Sequence, residues 1–429
     1  MSNFSEFFSF ADPNVRYVTL GSILITASSA LVGSFTFLNK KSLLGDAIAH
    51  AVLPGICLGF ILSGTKNPFY LILGAFITGW LSLQVVQVVT TRSRIKEDTA
   101  IGMVLSVFFG IGILLLTVIQ KSGNANQAGL DHFLFGKAAA LVGNDLIVFS
   151  IVAIILIVMT ILFLKEFELV VFDRNYALSL GFPVKRIELL MTSMIVLAVV
   201  IGIQAVGVVL MAAVLITPAA VARFWTTSIR AMLVVAATVG AFSGLAGAYI
   251  SYTAPSMPTG PWIVIVVSTL ALLSFFLAPR KGILNRHFKQ KRFQRTIQDE
   301  NVLKALYQLG EENKNFYLQR YIDEIIRKRK LHPQRLMASL HRLFAQGYVE
   351  RSGKLWGLTE EGKARAQRIV KIHRLWELYL TTHVNIAPDH VHEDADTIEH
   401  FLTPELEADL ERILNYPKVD PHKTTIPYN

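Results

Sequence analysis

The sequence predicts two folds in series: an all-α polytopic membrane domain of about nine transmembrane helices, then a soluble tail with a winged helix and further helices. Three observations predict it. Apolar runs of spanning length crowd the first 279 residues, charge is concentrated after Pro279, and the tail alternates short helical stripes with one hairpin signal. Hydrophobic residues make up 52% of the 429 and charged residues 17%, but that average hides a division. Residues 1–279 carry 15 Lys/Arg and 11 Asp/Glu, whereas the last 150 carry 26 and 20, with nine of the eleven histidines. Such a split excludes one uniform globular domain and points to a membrane half joined to a basic, histidine-rich soluble half.

Apolar runs fall at about 18–38, 47–64, 69–90, 100–119, 145–165, 231–251 and 260–278. A longer stretch, Ile187 to Ala222, is interrupted at Gly202-Ile203-Gln204 and Gly207. Read as two crossings, it gives nine passes with the N-terminus outside. Lys40, Lys41, Arg92, Arg94, Lys96, Lys165, Arg174, Lys185, Arg186, Arg223 and Arg230 then all face the cytosol, as the positive-inside rule requires. Eight passes cannot keep the basic loops on both sides of that stretch inside. Nine passes also make the soluble tail cytoplasmic. The N-terminal Met-Ser-Asn-Phe-Ser-Glu has no basic segment of the kind that opens a cleaved signal peptide, and the lone Cys57 excludes an intrachain disulfide.

Between the first two runs lies Ser42-Leu43-Leu44-Gly45-Asp46-Ala47-Ile48-Ala49-His50-Ala51-Val52-Leu53-Pro54-Gly55. On a helix, Asp46 and His50 share a face one turn apart. A carboxylate inside a spanning helix costs about 2.5–3.5 kcal/mol on insertion scales, so it faces a partner or a polar path. Two readings stand at this point. The pair is a ligand set for a borderline dication, or Asp46 caps the helix near the headgroups while His50 bonds a neighbour. Two loops are also marked. Glu166 to Arg186 is charged and amphipathic and is expected to lie flat at the cytosolic surface. Pro218-Ala219-Ala220-Val221-Ala222-Arg223 reads as a short separate helix, proline in its first turn and arginine in its last. No Gly-x4-Gly-Lys-Ser/Thr loop occurs, so ATP hydrolysis is not expected from this chain.

The stretch around Asp46 and His50 closely resembles the signature of the membrane permeases of zinc, manganese and iron ABC importers. Lys96-Glu97-Asp98-Thr99-Ala100-Ile101-Gly102, Asp131-His132-Phe133-Leu134-Phe135-Gly136, and Val206-Gly207 with Thr217-Pro218-Ala219-Ala220 follow in that family's order. The resemblance covers roughly residues 15–280. It implies a type II-like importer fold in the bacterial inner membrane, with Asp46 and His50 holding a divalent ion in the pathway. It also implies docking on an ATP-binding subunit dimer through Pro218, Ala219, Ala220 and Arg223, an extracytoplasmic metal-binding protein, and a second permease chain, identical or related. ATP would act only through the partner.

Past Pro279 come Arg280, Lys281, Arg286, Lys289, Lys291, Arg292 and Arg295, a basic linker over 280–297. Its expected partner is anionic lipid, with nucleic acid and a protease as the alternatives. Residues 298–366 then read as a winged helix. Val302, Leu303, Leu306 and Leu309 form the first helical stripe, Leu318 to Ile326 a second helix, and Gln334 to Gln346 a third opened by Pro333. Tyr348 to Thr359 is a hairpin about Ser352-Gly353-Lys354, and Thr359 caps the next helix. Gln334, Arg335, His341 and Arg342 on the third helix, and Lys354 on the wing, are the candidate DNA contacts, although such a fold also docks proteins.

Residues 367–429 add His373 with Glu377 four residues on, then His392 and a helical set of Asp396, Glu399 and His400. Solvated charged faces are the ordinary use of such residues, but this many ligand types in helical register point to one or two divalent ions. Over about 298–427 the tail resembles the diphtheria toxin repressor family of metal-dependent regulators. That likeness implies a primary site at Asp396, Glu399 and His400, an ancillary site at His373, Glu377 and His392, and a dimerisation segment ending near Asn415–His422. Asn301 stands where a methionine or acidic ligand is usual, and Asp396 where cysteine or glutamate is common. The expected whole is an importer permease for manganese, iron or zinc with a fused metal-responsive domain. The alternatives are a tethered repressor precursor freed by proteolysis and a tail that only gates transport.

Overall fold

The computed structural model describes residues 2–65, 67–121, 136, 143–253, 257–279, 281–329, 332–384 and 404–428. The chain divides into two compact units, Met1–Arg286 and His287–Asn429. The division falls inside one long helix, Ile283–Glu312. Most of the expected linker is therefore helical. A helical backbone must unwind before a protease can cut it.

The first unit holds α1 (Ser2–Ser9), α2 (Pro13–Leu38), α3 (Leu44–Ala51), α4 (Leu53–Ser63), α5 (Pro68–Arg92) and α6 (Glu97–Lys121). After them come α7 (Gly143–Leu162), α8 (Leu164–Phe172), α9 (Arg174–Ser179), α10 (Val184–Val206), α11 (Val208–Trp225), α12 (Ile229–Thr253) and α13 (Thr259–Leu277). Helix starts follow local chemistry. The side chains of Asp12 and Asn67 accept from the amides of Asn14 and Phe69, and Pro13 and Pro68 occupy a first-turn position where no N–H is needed. Among the described residues, nine segments are long and apolar enough to cross a membrane, as the sequence predicts.

Four local features depart from the sequence reading or refine it. The run 47–64 is not one helix: α3 ends and α4 begins at Val52. Pro54 explains the break, because it has no N–H to give the carbonyl of His50 and its ring crowds that carbonyl. The interrupted stretch is two helices that turn at Gly207, whose φ of +89° is one a side chain would strain. The segment Pro218–Arg223 is not a separate helix: it lies within the second half of the 18-residue α11, with Pro218 inside. Glu166 to Arg186 forms α8, α9 and the start of α10. Phe167, Val170 and Ala177 are turned inward, and Arg174 pairs with Glu188 at 2.8 Å.

The core of this unit centres on α10, whose Val196, Val199, Ile203 and neighbours are fully buried against α2, α3, α5 and α11. Close approach of helices relies on small residues. Gly55 and Gly59 of α4 lie against Gly74 and Tyr70 of α5, and Gly240 and Gly244 of α12 lie against Thr26 and Ser22 of α2.

The second unit contains most of α14 (Ile283–Glu312), β1 (Arg320–Tyr321), α15 (Ile322–Arg329), α16 (Pro333–Ala345), β2 (Val349–Ser352), β3 (Leu355–Leu358), α17 (Glu360–His383) and α18 (Pro404–Ile413). The strands form an antiparallel sheet in the order β1-β3-β2, with Val349 opposite Leu358 and Arg320 opposite Trp356. This is a winged helix. The expected second helix over 318–326 is corrected: Arg320 and Tyr321 are a strand on the hairpin, and the helix begins only at Ile322. Val302, Leu303, Leu306, Leu340, Leu343, Trp356 and Leu358 close the core. Helix α17 spans the expected boundary at 366. Its Ala366, Ile369 and Val370 belong to the winged-helix core, while Leu375 joins Leu410 and Ile426 in a separate cluster.

Candidate metal pathway and regulatory site

In the membrane unit, α3 carries Asp46 in its first turn and His50 in its last. Asp46 Oδ1 and His50 Nε2 are 3.5 Å apart, with side-chain exposures of 41% and 19%. That separation exceeds an ordinary N–H···O hydrogen bond, so neither group is saturated by the other. The imidazole is held edge-on by Phe109 of α6, centroids 4.9 Å apart at 90°. Its Nδ1 is buried with no hydrogen-bond partner among the described residues. A buried polar nitrogen without a partner is costly, and such atoms cluster where a ligand or water completes the site. Glu97, in the first turn of α6, pairs with Lys41 at 3.5 Å and ties two of the sequence motifs together. A third motif, Asp131 to Phe135, lies outside the described residues, but its Gly136 packs within van der Waals contact of the Ala205–Gly207 turn.

The docking candidates fare unequally. Pro218 and Ala219 are buried, Ala219 in a cluster with Ala30, Ala222 and Met232; Ala220 is half-buried. Arg223 is exposed at the C-terminal turn of α11, and its carbonyl accepts from Lys281 Nζ at 2.9 Å.

In the second unit, His373 and Glu377 lie on successive turns of α17, side chains 4% and 3% exposed, with His373 Nε2 3.1 Å from Glu377 Oε1. His392, Asp396, Glu399 and His400 lie outside the described residues. Among the described residues no cluster of three or more His, Cys, Asp or Glu is arranged to hold a metal. A buried imidazole beside a buried carboxylate is nevertheless a donor set that fits a divalent ion. Asn301 Oδ1 accepts from Arg329 Nη1 at 2.5 Å.

Of the candidate DNA contacts, Gln334, Arg335 and His341 are exposed on α16, and Lys354 is exposed beside the hairpin turn at Gly353. Arg342 differs. It forks onto Asp299 at 2.6 and 3.0 Å and onto Ser339 Oγ at 2.8 Å, holding α16 against α14. The exposed Arg351 lies over the Trp356 ring at 5.3 Å, a wing cation that the motif reading passed over.

Sequence reasoning also missed Arg374. This guanidinium, 6% exposed, grips Glu311 at 2.7 and 2.9 Å and the carbonyl of Thr425 at 2.5 Å, with Asp420 at 3.7 Å. Burial opposes its charge, but Glu311 and Asp420 outweigh that and keep its pKa above the usual value. Nearby, Lys371 bridges Glu407 and Glu411 at 2.7 Å, and Arg368 reaches Glu407 at 2.8 Å.

A bundle of spanning helices with a half-buried carboxylate–imidazole pair, joined to a winged helix with a buried pair of its own, defines a class: a membrane permease with a repressor-like appendage. The chain belongs to the ABC 3 transport family, whose model matches residues 11–278. Residues 359–428 match the iron dependent repressor, metal binding and dimerisation domain. The chain is 40% identical over 376 residues to the manganese transport system membrane protein MntC of Bacillus subtilis, covering 87% of this chain and 86% of that one. It is 42% identical to the zinc transport system membrane protein TroC of Treponema pallidum, over 66% of this chain and 95% of that one. Among solved structures, PsaBC from Streptococcus pneumoniae in complex with Fab aligns with a TM-score of 0.60 and 32% identity, covering 67% of this chain and 99% of that chain. The protein is thus a multi-pass membrane permease of metal-transporting kinship fused to a repressor-like domain.

Proposed function

We propose that the chain is the permease of an importer for a divalent transition metal, with manganese and zinc the favoured cargoes, and that Asp46 and His50 bind the ion in transit. The observation that carries this reading is the 3.5 Å gap between the two donors, beside a buried His50 Nδ1 that has no partner among the described residues. Two ligands bonded at about 2.1 Å to a tetrahedral ion sit about 3.4 Å from each other, so the pair needs little adjustment to share a cation. The relatives' names, manganese for one and zinc for another, support the cargo class. With no phosphate loop in its sequence, the permease takes its energy from an ATP-binding dimer at the cytosolic face, receives metal from an extracytoplasmic binding protein, and pairs with a second permease chain.

The tail is cytoplasmic and metal-responsive in this reading. His373 and Glu377, with His392, Asp396, Glu399 and His400, would hold the regulatory ion, which would tie α17 to that later segment when bound. Gln334, Arg335, His341 and Lys354 would meet DNA phosphates and base edges, while Arg342 serves the fold through Asp299.

The decisive experiment is metal uptake by cells carrying the complete importer, with Asp46→Ala and His50→Ala compared at equal abundance. Each substitution should cut the rate about tenfold or more, since even loss of outer ligand partners commonly costs that much. Full-rate uptake by Asp46→Ala would refute the pathway assignment. A metal-dependent footprint of the full-length protein on its own promoter tests the tail separately.

A further inference from the structure

The long helix α14 opens with a strongly charged stretch unexplained by transport or by the winged helix. Its first four turns carry Arg286, Lys289, Lys291, Arg292 and Arg295, all exposed, and none forms an ion pair among the described residues. No acidic residue occurs anywhere between Glu188 and Asp299. The helix has two distinct sides there. Phe293 and Ile297 are half-buried on one. On the other, Leu284, Phe288, Lys291 and Arg295 follow at spacings of four, three and four, which is one stripe along a helix. Leu284 is 43% and Phe288 66% exposed, so two apolar side chains lead this stripe and two cations follow.

Soluble surfaces rarely present an uncovered phenylalanine in a cationic field. Apolar side chains interleaved with Lys and Arg are the composition of helices that lie in the headgroup layer of a bilayer. The place in the chain agrees: α13, the last apolar segment of spanning length, ends at Leu277, and α14 begins at Ile283. The connection is also pinned, because Lys281 Nζ donates to the Arg223 carbonyl at the end of α11.

We infer that residues 284–295 of α14 form a binding surface for anionic lipid headgroups, with Phe288 and Leu284 entering the interface and Lys291, Arg292 and Arg295 meeting phosphate. The surface rests on the cytoplasmic placement of the tail, because the anionic leaflet it would meet in the cell is the inner one. Bound there, the first four turns of the helix lie along the bilayer rather than projecting into the cytosol. The tail's attachment then depends on lipid charge and ionic strength.

The test uses the full-length protein in lipid nanodiscs, where both leaflets are accessible and the outcome does not depend on orientation in the cell. Phe288→Cys is labelled with an environment-sensitive fluorophore; Cys57 is buried and does not compete. Discs of phosphatidylcholine alone are compared with discs doped with phosphatidylglycerol. The expected result is brighter, blue-shifted emission in the doped discs, reversed by high salt. The threefold variant K291Q/R292Q/R295Q should lower the ratio of docked to undocked helix by about a hundredfold, abolishing the response. In the unlabelled wild type, trypsin cleavage between Lys289 and Arg295 should slow in the doped discs. Identical emission and identical cleavage in both discs would overturn the proposal. So would a response to a DNA duplex in neutral discs with none to phosphatidylglycerol, which assigns the surface to nucleic acid. The cytoplasmic placement fails separately, if the same cysteine is labelled by an impermeant reagent from outside intact cells.

Discussion

Gly55→Ala is the most informative single change in the membrane unit, because it alters packing beside the candidate pathway without touching a ligand. A methyl group built on Gly55 lies 2.1 Å from the Gly74 carbonyl oxygen and 2.3 Å from Thr78 Oγ1. Ordinary contact begins at 3.4 Å, so α4 and α5 must part by about 1.3 Å at this point. The obstacle is backbone, which cannot rotate aside as a side chain can. Forced overpacking of this kind costs about 1–3 kcal/mol. The strain falls one turn after Val52, where α4 joins α3, and so bears directly on the placement of His50. Displacements of about 1 Å in a constellation of reacting groups can cost up to about a hundredfold, and uptake should fall by at least about tenfold. The control is Gly102→Ala, whose added methyl meets nothing within 4 Å. The assay is metal accumulation in cells with the complete importer, normalised to permease abundance, alongside the thermal midpoint of the purified protein. Wild-type uptake and an unchanged midpoint for Gly55→Ala would refute the claim that this close crossing fixes the pathway helix.

Two further outcomes concern the tail. Arg374→Leu strands Glu311 and Asp420 without their cation and removes a donor from the Thr425 carbonyl. The cost should be about 3 kcal/mol, the low end for a broken buried pair because Glu311 is 30% exposed, and hydrogen exchange of the full-length chain should quicken at residues 418–426. Glu407 supplies a pH dependence. Burial alone would raise its pKa, but the hydrogen bonds and charges of Lys371 and Arg368 prevail and hold it below the usual carboxylate range. A group whose native pKa is depressed stabilises the fold above its unfolded pKa and loses that contribution as pH falls through the native one. Exchange protection of Pro404–Ile413 should therefore be flat from neutrality down to the ordinary carboxylate range and fall below it, and Glu407→Gln should flatten the profile.

How much of this was legible in the sequence depended on the physics behind each feature. Spanning segments need only length and apolarity, so all nine candidates among the described residues could be read, and Gly207 marked the turn between two of them. The winged helix was legible where local signals suffice: Pro333 opening α16, Gly353 in the hairpin, and Thr359, whose Oγ1 accepts from the Gly362 amide. What failed rests on partners distant in sequence. Arg320 and Tyr321 became a strand because β3 offered an open edge, which a local stripe cannot reveal. Pro218 looked like a helix start, yet α11 runs through it because Ala219 and Ala222 are packed on Ala30. The pairing of Arg342 with Asp299, 43 residues away, is likewise invisible to a local reading. The Gly55/Gly59 and Gly240/Gly244 pairs were a visible signal left unread, since glycines four apart in an apolar helix mark a close crossing.

Helix α17 has one further consequence. It runs unbroken for 24 residues, begins at the cap that closes the wing, and carries His373 roughly 20 Å along its axis. His373 and the wing are thus two stations on a single shaft, with no joint to absorb a twist. Each residue on that shaft advances the angle by about 100°, so inserting one would leave both ends intact yet point them in unrelated directions. Length can vary in such a device only in increments that restore phase, about seven residues for two full turns.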